Sequence, residues 1–219
     1  MEIAVSEAAA RLGVSPRRVR ERIARGDLPA RRVGRIWVVD EVQLARSDRL
    51  GRPMSERVAW AFLDLLGGGK GVGVSQPEQS RLRDKRDRLR LAGDDAASLL
   101  RSWLRNRARA MRYSAAPADL GDLRQDGRLV LSGVSDARSG MAAAAVVEGY
   151  VDDAALPALA DNFLLSVEGN HNVILHVLHG RAVPDPVPLP LLLADLADHD
   201  SPRESAAVAR LVGELPWRP

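Results

Sequence analysis

Between residues 15 and 26 the chain is told where a helix begins, where it ends and which way each of its faces must point. Ser15 is a good N-cap, and Pro16 suits the first helical position because its φ is already helical and its missing N–H is not needed there. Gly26 tolerates the positive φ that commonly closes a helix. Val19 and Ile23 lie four apart and share one side. Arg17, Arg18 and Glu21 fall on the opposite side, with Arg20 and Arg22 on the shoulders. A helix this short and this charged is stable only if its apolar pair is covered. The cover is just upstream, where Ser6 is placed to cap a helix carrying Ala9 and Leu12, and Gly13 is placed to stop it. Leu12 and Val14 then face Val19 and Ile23. The unit is a helix-turn-helix whose second helix keeps one face for its core and offers guanidinium groups on the other.

A basic hairpin follows. Residues 30–33 and 36–39 are short apolar-rich runs joined at Gly34-Arg35, and they carry Arg31, Arg32 and Arg35. A strand–turn–strand after the second helix reads as the wing of a winged helix-turn-helix. Trp37 is expected to pack beneath it. Asp40, with Gln43 at capping-box spacing, predicts a third short helix.

Residues 3–46 resemble the DNA-binding domain shared by MerR-type regulators and phage excisionases. The residues that carry the resemblance are Ser6, Ala8, Ala9, Leu12, Gly13, Val14, Ser15, Val19, Ile23, Gly26, Leu28, Pro29 and Trp37. The resemblance implies double-stranded DNA as a partner, read by Ser15, Arg17, Arg18, Arg20 and Arg22 on the helix and by Arg31, Arg32 and Arg35 on the wing. It covers about a fifth of the chain and leaves the kind of regulation open, since one module serves many roles.

Charge divides the rest. The net charge of +3 conceals a front segment, 1–52, with 12 arginines against 7 acids. Residues 78–112 carry 11 basic and 5 acidic groups, whereas 113–219 carry 7 basic and 15 acidic. A basic front suits a polyanion; an acidic rear suits a protein partner. With no cysteine, thiolate metal sites are excluded. The absence of a leader-like N-terminus or a long apolar run leads us to expect a cytoplasmic chain that meets no membrane.

After a polar linker, Ser55 is placed to cap an apolar helix through Leu66. The run GGGKGVG, 67–73, fails the phosphate-loop pattern: Gly71 stands where Ser or Thr is needed and Asp64 replaces the first glycine, so it reads as a flexible turn. Pro77 opens a charged helix that Gly93 breaks, and Asp94 or Asp95 starts another expected to run to about Arg112. On that second helix Arg101, Arg105 and Arg109 would form a stripe, a second nucleic-acid contact weighed against a merely solvated face. Beyond it, strands are expected at 129–131, 146–151 and 173–178, helices from Asp152-Asp153 toward Phe163 and from Ser201 to Leu215, and an extended, proline-rich 183–190.

No catalytic or metal constellation emerges. In a strand, His171 and His179 face one way and His176 the other, so they do not converge on a metal. Asp195 and Asp198 can share a helical face, where solvation and capping suffice as their role. We therefore expect a protein that is not an enzyme and needs no cofactor.

From Leu99 onward, "WLRNRARAMRYSAAPADLGDL", "DGRLVLSGVSDA", "VVEGYV", "NVILHVL" and "LADLADHDSPRESAAVARLV" resemble, in order, the C-terminal part of abortive-infection-type (AbiEi-like) antitoxin regulators. That resemblance implies an α/β domain and a cognate toxin, nucleotidyltransferase-like, encoded alongside, although those regulators usually carry another winged-helix type. The expectation is thus an α+β protein in three parts: a winged helix-turn-helix at 1–48, a helical connecting region at 49–112 and a mixed α/β protein-interaction domain at 113–219. It would act as a DNA-binding autorepressor and antitoxin, with paired half-sites calling for a homodimer. An excisionase-like DNA-bending factor and a one-component regulator whose rear half takes a small molecule are the alternatives.

Overall fold

The computed structural model describes residues 2–12, 14–24, 28, 30–34, 36–40, 52–141 and 143–217. It divides into two compact units, 1–52 and 53–219. The helical region and the α/β region, expected to separate near 112, form one unit instead. The chain mixes helix and sheet, an α+β protein.

In the first unit a strand absent from the expectation, β1 (Glu2–Ala4), leads straight into α1 (Val5–Leu12). The helix therefore starts before Ser6, which lies inside it and does not cap it. The second helix, α2 (Pro16–Ala24), begins where Ser15 and Pro16 place it, and the Ser15 hydroxyl accepts a hydrogen bond from Arg18 N–H at 3.3 Å. β2 (Ala30–Val33) and β3 (Ile36–Asp40) make the wing, and β1 joins it in the order β1-β3-β2, all antiparallel. Ile3, Val5, Ala8, Ala9, Val19, Leu28 and Val39 form the core, with Leu12, Val14, Ile23 and Ala30 packed against it. The expected stops at Gly13 and Gly26, Arg35 of the wing and the third helix after Asp40 lie outside the described residues.

In the second unit α3 (Glu56–Leu66), α4 (Gln76–Arg90) and α5 (Ala96–Leu104) come first. Trp103 of α5 meets Phe62 of α3 edge to face at 5.9 Å and carries Lys85 of α4 over its ring at 4.1 Å. Aromatic rings thus tie the three helices together. A four-stranded sheet follows, order β4-β7-β6-β5, from β4 (Arg109–Tyr113), β5 (Leu129–Leu131), β6 (Val147–Asp152) and β7 (Val173–Leu178). β6 and β7 are parallel; the outer pairs are antiparallel. α6 (Leu120–Gln125) and α7 (Leu156–Asn162) cover one face through Leu120, Leu123 and Leu159. α8 (Leu189–Asp198) lies on the other face, with α9 (Pro202–Val212) and α5 packed on it.

The helix expected to reach Arg112 stops at Leu104, and Arg109–Tyr113 is strand β4. Nothing in the local composition forbids helix here. The tertiary contacts win: Asn106 donates to Met54 C=O at 2.8 Å, Trp60 Nε1 donates to Arg107 C=O at 2.9 Å, and the Arg107 side chain is drawn into the interior. The proline-rich segment is not extended throughout: it bends at Asp185 and Pro186, whose peptide bond is cis, and α8 begins at Leu189 with Pro190 in its first turn.

Candidate nucleic-acid interface

The second helix, α2, is held by its apolar side. Val19 is fully buried, and Ile23 is half-buried against the same core. Ser15, Arg17, Arg18 and Arg20 are exposed on the other side, while Arg22 is half-buried and has interactions of its own. Arg17 Nε lies 3.1 Å from Glu21 Oε1, a turn away on the same helix and open to solvent. Such a pair is weak and exchanges readily for a stronger anion. Among the described residues Arg18 and Arg20 have no acidic partner. Because the Ser15 hydroxyl accepts from the backbone, its own proton remains available for a phosphate oxygen.

The wing divides its arginines by strand alternation. Arg31 lies on the face that carries Glu2, and the two form a bidentate pair at 2.5 and 2.6 Å. That pairing holds the Glu2 carboxyl below its ordinary value, chiefly through the hydrogen bond. Arg32, opposite Trp37 in the ladder, is exposed on the other face and has no acidic partner among the described residues. Trp37 itself is 36% exposed, not packed beneath the wing as expected. It shares the core face with Val39 but lies two residues further along β3 and is not among the residues packed into that core. With Val33 and Ile36 it leaves the wing partly apolar on the outside.

The family described as "Helix-turn-helix domain" matches residues 4–46. The first unit is a helix-turn-helix DNA-binding domain. No curated protein and no solved structure matched the chain. Among the described residues no helix is long and apolar enough to cross a membrane.

The second expected contact is not assembled. Arg101 is on α5 and ion-paired with Asp200, Arg105 follows the helix with interactions of its own, and Arg109 is on β4. The stripe needed a continuous helix through Arg109, and that helix ends at Leu104.

What the sequence reading missed is a polar network inside the second unit. Arg107 Nη2 lies 2.5 Å from Asp195 and 2.6 Å from Asp198. Tyr150 donates to Asp195 at 2.7 Å, and the Ser132 hydroxyl donates to its other oxygen. Two residues from Tyr150 on β6, Glu148 sits between His176 Nε2 at 2.9 Å and His199 Nε2 at 2.7 Å, with Val134 N–H donating at 2.9 Å. The His176 ring stacks on Tyr150 with centroids 5.0 Å apart. Gly133, at φ +54°, leaves room for the carboxylate, since a Cβ there would overlap it.

Burial alone would raise the Glu148 carboxyl, yet the two histidine hydrogen bonds outweigh it and hold it down to about 2. Burial alone would lower His176 and His199; Asp195 and Glu148 raise the first, Glu148 and Glu204 the second. Asp195 is wholly buried, a correction to the solvated role expected for it. No buried side-chain nitrogen or oxygen among the described residues lacks a partner. Nor do the described His, Asp and Glu residues form a group of three or more able to hold a metal. Through Asp195 the network ties α8 to Tyr150 of the sheet and to Ser132. The signal was present as single charged residues inside otherwise apolar runs, Glu148 in VVEGYV, His176 in VILHVL and Asp195 in LLLADLA.

Proposed function

We propose that this protein is a sequence-specific transcriptional autorepressor that also serves as the antitoxin of a two-gene toxin–antitoxin module. The DNA-binding part rests on one observation above the others: α2 is anchored by Val19 while Arg18 and Arg20 face solvent with no acidic partner among the described residues. In this reading α2 enters the major groove, where arginine bridges the N7 and O6 of guanine. Ser15 and Arg17 meet backbone phosphates, Arg22 supports from the shoulder, and Arg31, Arg32 and Arg35 contact phosphate or the minor groove. Arg31 would exchange Glu2 for a phosphate. Two chains on paired half-sites would supply the affinity that one small domain lacks.

The antitoxin part is supported by the resemblance of the rear half to abortive-infection antitoxin regulators and by its 15 acids against 7 basic residues. Those charges favour a positively charged protein partner, a nucleotidyltransferase-like toxin, over DNA.

The test has two arms. Selection of operators from a random duplex pool, followed by gel-shift titration, should yield a paired site whose preference relaxes at one position per half-site in Arg18→Ala. Unchanged preference would refute the placement of α2. Expression of the adjacent gene with and without this chain should show growth arrest relieved by it, and an adjacent product harmless alone would refute the antitoxin role.

A further inference from the structure

The glycine run that fails as a phosphate loop is ordered. Asp64 accepts from Gly71 N–H at 2.8 Å through its side chain and from Gly69 N–H at 2.8 Å through its carbonyl. A Cβ on Gly69 would overlap the Asp64 carboxylate. Further along, Arg57 donates to Gly73 C=O at 2.7 Å while pairing with Glu78 at the start of α4. A turn tied at both ends fixes where its one cation, Lys70, stands.

Lys70 stands at a groove of about 440 Å³ between the end of α3 and α4. Its lining is Leu65, Gly69, Lys70, Gln79, Arg83 and Arg86. Gln79, Arg83 and Arg86 are four and three residues apart and so share one face of α4. Three cations and an amide thus line a concave surface with no carboxylate among them. Lys70 and Arg83 have no acidic partner among the described residues; Arg86 contacts Asp87 at 3.2 Å. The Asp64 carboxylate, on the last turn of α3, accepts from the glycine backbone at Gly71.

We propose that this groove binds phosphate groups, through side chains and not through loop N–H groups. The loop amide at Gly71 is already occupied by Asp64, whereas Lys70 is presented to the groove. Guanidinium forks suit phosphate oxygens, and Lys70 adds a point charge. Two sources share this chemistry: a free phosphorylated small molecule, and the phosphodiesters of duplex DNA, the latter resting on the DNA-binding reading above.

The experiment uses the full chain and the double variant Lys70→Ala/Arg83→Ala, both positions being exposed and outside the core. Calorimetric titration with inorganic pyrophosphate should show binding that weakens about tenfold or more in the variant if the ligand is free. Non-operator duplex titrated across salt concentrations should show a log–log slope reduced by about 2 in the variant if the ligand is DNA, since each phosphate contact contributes about 0.9. Either result supports the groove and identifies its source. No pyrophosphate binding together with an unchanged slope overturns it. The two readings fail separately: an intact operator preference with an unchanged slope and no pyrophosphate binding sinks the groove alone. A reduced slope in a chain that selects no operator sinks the operator-reading proposal alone.

Discussion

Arginine is used in opposite ways in the two units. On α2 of the first, Arg17, Arg18 and Arg20 stand in solvent, and the one ion pair they make among the described residues, Arg17 with Glu21, is exposed and local. In the second, Arg107 is buried, with Asp195, Asp198 and Tyr150 around its guanidinium. Solvated charges cost little to leave unpaired and are free to meet an anion. A buried charge has no such latitude, because its desolvation must be offset by partners held at hydrogen-bond distance. Charge on the first unit is therefore available for recognition, and charge inside the second is committed to holding the fold.

The contrast can be broken most sharply at Asp195. Asp195→Ala should lower the stability of the second unit by about 3–5 kcal/mol, because Arg107 would be left buried with only Asp198 as counter-charge. Denaturant melts would show it, and a loss below 1 kcal/mol would mean that water reaches the site. Replacing Arg107 and Asp195 together by Met and Leu should cost less than the sum of the single changes, as expected for groups that serve each other.

At the other unit the ordering should reverse. Arg18→Ala should weaken operator binding by about 1–3 kcal/mol and leave the melting curve in place. A shift in melting temperature would show that Arg18 has a structural role that its exposure denies. Glu2→Gln, which releases Arg31, should leave stability unchanged within error and tighten DNA binding modestly if the wing meets phosphate. Weaker binding would mean that the pair positions Arg31 instead.

The smallest effect concerns pH. His176 and His199 are raised above their ordinary 6.5 in the folded chain, so their contribution is complete below that value and is lost as pH rises through the folded values. Glu148 runs the other way: held at about 2 against an ordinary 4.5, it contributes above 4.5, and that contribution disappears as pH falls toward 2. The second unit should therefore be most stable between about 4.5 and 6.5 and soften on mild alkalinisation. In His199→Gln the alkaline decline should flatten, measured by thermal melts across pH; an unaltered decline would place it elsewhere.

Much of the first unit was legible because its determinants are local. Ser15, Pro16, Val19 and Ile23 lie within one helix and dictate it, and the wing follows from two short apolar runs around Gly34. β1 was missed because three residues carry no periodicity until β3 is there to pair with them. Trp37 was misplaced because its burial depends on what packs over the end of β3, which no residue near it encodes. In the second unit the strands at 129–131 and 173–178 were readable as apolar runs between turns. β4 was not, since RAMRY has no strand pattern and is a strand only by pairing with β7.

From the chain alone one could determine the helix-turn-helix, its outward arginines and the uneven spread of charge, since each depends on residues close in sequence. Tertiary structure alone decided that α5 stops at Leu104, that Arg107 turns inward and that Asp195 and Glu148 are buried among partners contributed by β6, β7 and α8. Residues separated by up to 91 positions meet in that network. Whether a charge far along the chain finds its counter-charge is settled by packing, and packing is a property of the assembled elements rather than of any one of them.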